Sequence, residues 1–231
     1  MTRPTPGLPS PTAPASQLDL DPLMPAATAA KAEDIGVRKA NMAAAPMFLL
    51  AVLAGAFIAL AAAFSTTVIA GAGETLPFGI VKLIAGVTFS IGLILVVLGG
   101  AELFTGNNLI AVAWASRHIT SVAVLRNWTI VWIGNLVGAL ATAVLIVVAG
   151  QYEFGSGVVG QTALDIAAGK VALDPLRAFT LAVLCNGLVC LAVWLTYSAR
   201  TTIDKVVVIV PPVAAFVAMG FEHSVANMYF I

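Results

Sequence analysis

The chain has 231 residues, of which 60% are hydrophobic and only 10% are charged, and its mean hydropathy is +1.02. A soluble domain carries roughly 25% charged residues, so this composition excludes an ordinary soluble protein and favours a protein embedded in a lipid bilayer. The formal net charge is zero, which gives no basic surface for nucleic acid. Cys185 and Cys190 have neither zinc-ligand nor redox-pair spacing, and we expect neither a metal nor a cofactor.

The N-terminal segment differs from the rest of the chain. Residues 1–30 are rich in Pro, Ala, Thr and Ser, which predicts a disordered, cytoplasmic tail rather than a secretory signal. Residues 31–42 predict a short amphipathic lead-in helix. We therefore divide the chain into an N-terminal segment at 1–40 and a membrane domain at 41–231.

Uncharged stretches predict the membrane-spanning helices, because about 20 consecutive apolar residues cross a bilayer. The predicted spans are 44–70, 83–101, 127–150, 178–199 and 206–221. Lysine and arginine are more frequent before the first span and in the loops after the second and fourth spans than in the loops after the first and third spans. This bias predicts a cytoplasmic N-terminus.

Two stretches interrupt the apolar pattern at corresponding places. AELFTGNN (101–108) ends the second span and GFEHSVAN (220–227) ends the fifth. Each contains an acid, Glu102 or Glu222, and acidic residues within membrane segments are costly and functional by default. Broken helices at matching positions are typical of a transporter or channel built on an inverted repeat. The alternative is two glycine-containing loops that end ordinary helices.

His223 is the sharpest candidate for function. A histidine titrates near physiological pH, so within a pore it can donate a proton or act as an electrostatic gate. The alternative is a structural histidine that fixes a bend through hydrogen bonds. A metal site is disfavoured because no second His or Cys accompanies it at ligand spacing.

Three motifs resemble those of the formate/nitrite transporter family: VLGGAELFTG (97–106), AVLCNGLVCLA (182–192) and FVAMGFEHSVANM (216–228). The similarity runs from about Lys31 to the last residue. It implies an all-α polytopic membrane protein with an aquaporin-like inverted repeat and broken helices in spans two and five. It also implies a homopentamer in the inner membrane that passes small monovalent anions, formate and nitrite, with protons, and is not an enzyme.

The resemblance also assigns roles to individual residues. His223 corresponds to the central pore histidine, Thr105 to its hydrogen-bonding partner and Asn186 to a polar lining residue, while Lys170 corresponds to a lysine that attracts anions in the outer vestibule. The remaining assignments are a cytoplasmic-side constriction (Leu93, Leu103, Phe216), an outer constriction (Phe89, Phe104, Val189) and supports of the two breaks (Glu102, Glu222, Asn227).

Physical chemistry agrees with these assignments. A bare anion pays heavily to enter a low-dielectric constriction, whereas the neutral acid does not. A proton given to formate near His223 would therefore let it cross between the apolar rings. Formate is our preferred substrate over nitrite, with hydrosulfide left open.

The sequence departs from the family pattern in two ways and leaves three rivals. Gly187 stands where the second motif usually has a bulky residue, and the family has a sixth span, which we expect to lie beyond Ile231.

The first rival is an aquaporin-like channel for neutral solutes, although no Asn-Pro-Ala pair occurs at the breaks. The second is an intramembrane enzyme using Glu222 and His223 as acid and base. The third is a truncated, non-transporting subunit.

Overall fold

The computed structural model describes residues 21–231, and every regular element in that range is helical. Most of the N-terminal segment predicted to be disordered lies outside the described residues. The α-helices are α1 (Pro25–Ala40), α2 (Ala44–Ile69), α3 (Phe78–Phe89), α4 (Ile91–Gly99), α5 (Phe104–Asn107), α6 (Ile110–Ala115), α7 (Ser121–Val148), α8 (Val158–Val171), α9 (Pro175–Ser198), α10 (Thr202–Ala218) and α11 (Ser224–Phe230). Short 3₁₀ turns occur at Ala72–Glu74 and Gln151–Glu153.

Four helical segments in the described part of the chain are long and apolar enough to cross a membrane. They are α2, the α3–α4 pair, α7 and α9, and they coincide with the first four predicted spans to within several residues. The fifth predicted span is α10, a shorter helix of 17 residues that contains Pro211 and Pro212. Its start is fixed by a capping box in which the Thr201 hydroxyl accepts from Asp204 N and the Asp204 carboxylate accepts from Thr201 N.

The lead-in helix α1 begins at Pro25, earlier than the predicted Lys31. Proline suits the first turn of a helix because its missing N–H would have no partner there. Every fourth residue of α1 is buried, at Thr28, Ala32, Gly36 and Ala40, and this face packs against α6 and α9. The approach is close, since a methyl group on Gly36 would lie 2.8 Å from Ala113 Cβ. The lead-in helix is therefore part of the packed structure.

Small residues hold the spans together. A methyl group on Gly134 of α7 would lie 2.5 Å from Ala51 Cβ of α2, and one on Gly86 of α3 would lie 2.6 Å from Ala214 Cα of α10. Helices in a bilayer gain little from the hydrophobic effect between them, so such close backbone packing is a main source of their association.

Candidate functional site

Two short extended stretches lie at the centre of the bundle. Gly100 (φ +69°) ends α4 and Gly220 (φ +71°) follows the end of α10, each in the left-handed conformation that glycine adopts without steric cost. Three residues follow each glycine before the next helix begins, at Phe104 or Ser224. Both predicted interruptions are therefore places where the chain leaves the helical conformation and re-enters it.

The two stretches meet through His223 and Thr105. The ring of His223 is buried, with 4% of the residue exposed. Its Nδ1 accepts the Ala226 N–H at 3.0 Å, capping α11, and its Nε2 lies 3.1 Å from Thr105 Oγ1. A nitrogen that accepts a hydrogen bond carries no proton, so the neutral ring holds its proton on Nε2 and donates it to Thr105.

This arrangement favours the neutral imidazole. A second proton on Nδ1 would point at the Ala226 N–H and break the cap of α11. Thr105, having accepted from Nε2, keeps its own O–H as a donor, and among residues 21–231 no further partner engages that hydroxyl. The pair therefore presents one uncharged hydrogen-bond donor in a buried position.

Aromatic rings enclose His223 on one side. Phe216 stacks on the imidazole, with centroids 5.8 Å apart, and Phe89 meets it edge-on at 6.2 Å. The two phenylalanines also contact each other in a T-shaped arrangement at 6.1 Å. The surroundings of His223 are therefore apolar on this side.

An ion pair supports each extended stretch. Lys39 Nζ lies 2.6 Å from Glu102 Oε1, and Asn107 Nδ2 donates to Glu102 Oε2 at 2.7 Å. In the second stretch Lys170 Nζ lies 2.6 Å from Glu222 Oε2. Asn227 Nδ2 donates to the same oxygen at 2.9 Å.

The two stretches repeat each other residue for residue at these positions. Gly100, Glu102 and Asn107 recur with the same mutual spacing as Gly220, Glu222 and Asn227. The residue after the glutamate differs, being Leu103 in one stretch and His223 in the other. Glu102, Glu222 and Asn227, which were predicted to support the two breaks, lie in these hydrogen-bonded ion-pair clusters.

Sequence reasoning missed four polar residues of this framework. In the sequence Lys39 contributes only to the charge bias before the first span, and Asn107 only to the first interruption, AELFTGNN (101–108). Asn127 and Asn135 of α7 are fully buried. The Asn135 amide donates to Ala51 O and Glu102 O at 2.7 and 2.9 Å, while its oxygen accepts from Phe104 N at 2.8 Å. The recurring Glu-x₄-Asn spacing was the available signal for Asn107.

Two cavities open on either side of the central pair. The Lys39 cavity, about 480 Å³, is lined by Lys39, Glu102, Leu93 and Leu103 among others. The Lys170 cavity, about 440 Å³, is lined by Lys170, Glu222, His223, Phe89 and Phe216 among others. Phe216 was grouped with Leu93 and Leu103 in the sequence analysis, whereas the structure places it beside Phe89.

A third cavity of about 330 Å³ lies on the flank of α9. It brings Phe104, Thr105 and His223 together with Asn186, whose amide lies 3.6 Å from Cys190 Sγ. Val189 is not in this group but is buried in the apolar core with Leu93 and Phe89. A methyl group on Gly187 would have no neighbour within 4 Å, so this departure from the motif leaves open space in the described residues.

No group of three or more His, Cys, Asp or Glu within the described range 21–231 could hold a metal ion.

Comparison with known proteins decides the family. A family model described as formate/nitrite transporter matches residues 26–231. The chain belongs to the formate/nitrite transporter family. The formate channel FocA of Escherichia coli (strain K12) is 48% identical over 211 residues, which cover 91% of this chain and 74% of that protein.

Solved structures of the family agree with the fold. A pentameric formate channel with formate bound is 43% identical and superposes with a TM-score of 0.73, covering 80% of this chain and 72% of that one. An ion channel of the same family is 30% identical with a TM-score of 0.78, covering 88% and 80%. Because the formate/nitrite transporter family consists of channels and transporters, this chain is an integral membrane protein of that functional class.

Proposed function

We propose that this chain is a formate channel that also admits nitrite, assembles as a homopentamer with one pathway per protomer and couples transport to protons. The E. coli relative is a formate channel, and the solved relative is a pentamer with formate bound. We place the protein in the inner membrane with its N-terminus in the cytoplasm, because the lysine and arginine bias favours that orientation. The Lys39 cavity then faces the cytoplasm and the Lys170 cavity faces outward.

The observation that carries this proposal is the uncharged donor at the centre of the pathway. His223 and Thr105 offer a hydrogen bond to an oxygen of formate without adding a charge. Moving a bare carboxylate into an apolar constriction is strongly unfavourable, whereas neutral formic acid crosses at far lower cost. In our mechanism a hydronium ion in the vestibule gives its proton to the carboxylate at the constriction and becomes water, and Thr105 hydrogen-bonds the neutral acid as it passes.

Apolar side chains form the barriers on either side of this donor. Leu93 and Leu103 line the Lys39 cavity, and Phe89 lines the Lys170 cavity with Phe216. We assign these residues, together with Phe104 and Val189, to the two constrictions that exclude water and charge. Asn186 would add a polar contact beside Thr105. On this assignment Phe216 contributes with Phe89 to the constriction on the Lys170 side, because its ring lies against Phe89 and His223.

We further propose that an inverted repeat with two broken membrane helices underlies the pathway, and that a sixth spanning helix packs against α9 and α11. In the first half, the Asn135 side chain of α7 satisfies Ala51 O, Glu102 O and Phe104 N. The corresponding residues of the second half, Ala182, Glu222 and Ser224, line the cavity on the flank of α9.

Unsatisfied polar groups support this packing. The buried Asn186 Oδ1, Ser224 Oγ and Asn227 Oδ1 have no hydrogen-bond partner among the described residues. Buried polar groups in native proteins are normally satisfied. A helix packed here could bring polar side chains to these atoms, as α7 brings Asn135 to the first extended stretch.

Radiolabelled formate uptake into proteoliposomes tests the proposal. The assay compares uptake with and without an inward proton gradient, for this chain and for a version extended by its native downstream sequence. Proton-stimulated uptake competed by nitrite supports the anion pathway. Uptake by the extended version alone supports the sixth helix. Equal uptake by both versions would show that transport does not require that helix. Glycerol or water flux without formate uptake would move the assignment to a neutral-solute channel.

A further inference from the structure

The Lys170 cavity contains a cation whose charge is already compensated. Lys170 Nζ lies 2.6 Å from Glu222 Oε2, with only 16% and 11% of the two side chains exposed. The same ammonium lies 5.6 Å from the Phe230 ring centroid. An ion pair this close has a field that falls off quickly, because the opposite charges cancel at a distance. Lys170 alone therefore attracts an approaching anion weakly.

Lys82 is the second cation of this cavity, and it has no carboxylate within ion-pair distance among the described residues. Its Nζ lies 5.5 Å from the Phe78 ring, at the entrance of α3. Lys82, Ala85 and Phe89 all line the cavity, and their helical spacing puts them on one face of α3. At 1.5 Å per residue, Lys82 stands about 10 Å outward from Phe89.

Thr66 of α2 adds a buried donor between these two residues. Thr66 lines the cavity, and its hydroxyl is buried beneath the cavity wall without a hydrogen-bond partner among the described residues, only 2% of the residue being exposed. Neighbouring threonines in the bundle bond back to their own helix, as Thr67 does to Ala63 O and Thr88 to Ile84 O, each at 2.8 Å. A buried hydroxyl without a hydrogen-bond partner destabilises the fold unless a ligand or water accepts its hydrogen bond.

A hydrogen bond fixes the depth of Thr66. The adjacent Ser65 donates to Ala85 O at 2.9 Å, which sets this part of α2 level with Ala85. Ala85 lies one turn inside Lys82 and one turn outside Phe89 on α3. Thr66 therefore occupies the level directly before the aromatic residues that enclose His223.

We propose that Lys82 and Thr66 form a binding site for a small carboxylate in the Lys170 cavity. The Lys82 ammonium draws the anion along the α3 wall, and the Thr66 hydroxyl donates to one carboxylate oxygen one turn outside Phe89. Asp165 of α8 lines the opposite, exposed wall and accepts from Gln161 Nε2 at 2.8 Å, so it opposes the anion there. This site rests on the proposed formate transport and deepens it.

The concentration dependence of formate uptake tests the site, with the extended version as background if it alone transports. Lys82→Gln should raise the half-saturating concentration about two- to four-fold at low ionic strength. The effect should vanish in 0.5 M salt, where the Debye length is only about 4 Å. Asp165→Asn should act in the opposite direction. Arg177→Gln, a change to an exposed cation away from the cavity, is the matched control and should leave uptake unchanged.

Thr66→Val removes the hydroxyl with little change of shape and should raise the half-saturating concentration about three- to tenfold at any salt concentration. Thr88→Val is its control, because that hydroxyl is satisfied within its own helix. Lys82→Arg and Thr66→Ser should restore uptake, which separates binding from misfolding. Unchanged half-saturation in Lys82→Gln and Thr66→Val overturns the site while formate transport stands; no uptake by unmodified protein overturns the proposed function itself.

Discussion

Replacing Lys39 by methionine removes the cation that neutralises a nearly buried carboxylate. The Glu102 side chain is 4% exposed, and one of its oxygens depends on Lys39 Nζ at 2.6 Å. Breaking a buried ion pair from one side costs about 3–5 kcal/mol, because the remaining charge is left unpaired. Asn107 still donates to the other oxygen, and the Lys39 side chain is 22% exposed. We therefore expect a loss near the lower limit, about 3 kcal/mol.

Thermal unfolding in detergent measures this loss. For a protein of this size each kcal/mol lowers Tm by about 2–4 °C, so Lys39→Met should lower Tm by about 6–12 °C. The double change Lys39→Met with Glu102→Met should recover most of the loss, since it leaves no buried charge. Arg177→Met serves as the exposed control. A single variant that unfolds within 2 °C of the unmodified protein, or a double variant as unstable as the single one, would show that the pair does not support the first extended stretch.

Three further predictions concern His223, two glycines and Lys31. His223→Ala should retain the fold, as circular dichroism would show, but lose pH-dependent formate uptake across pH 5–8. His223→Asn should keep a side-chain acceptor for the cap of α11 and so lose less stability than His223→Ala. Unchanged uptake by the alanine variant would refute the role of His223. Gly86→Ala should destabilise by about 1–3 kcal/mol because its methyl group meets Ala214 backbone atoms, while Gly187→Ala, which meets nothing, should be neutral or slightly stabilising in the same melting assay. Burial and the neighbouring cations lower the pKa of Lys31 below its ordinary value of 10.5. The unfolded state then binds more protons between the two pKa values, so stability should rise with pH toward 10.5, a slope that Lys31→Gln should lose.

Much of the fold follows from uncharged runs of the right length. The bounds of α2 and α9 lie close to the predicted spans because a bilayer excludes charge and demands about 20 apolar residues, whereas α7 begins at Ser121, ahead of its predicted start at 127, and includes the charged Arg126. The two interruptions were also predictable, since an acid and a left-handed glycine are costly within a membrane helix. Glu102 and Glu222 therefore indicated in the sequence where the two interruptions lie.

Other features depend on contacts that sequence patterns do not record. The Pro- and Ala-rich composition hid the start of α1 at Pro25, because its stability comes from packing against α6 and α9 rather than from strong amphipathic periodicity. Lys39 looked like one more cytoplasmic cation until the fold placed its ammonium on Glu102. The position of Phe216 beside Phe89 likewise depends on how α10 crosses α3, which neither residue indicates on its own.

The recurrence of lysine, glutamate and asparagine at both extended stretches bears on the direction of flow. In the proposed pathway, a solute arriving from either side meets the same lysine–glutamate ion pair and its neighbouring asparagine, so these groups give neither entrance an advantage over the other. The chemical difference falls on the next residue, Leu103 on one side and His223 on the other. In the formate pathway proposed above, these paired groups by themselves favour neither direction of movement.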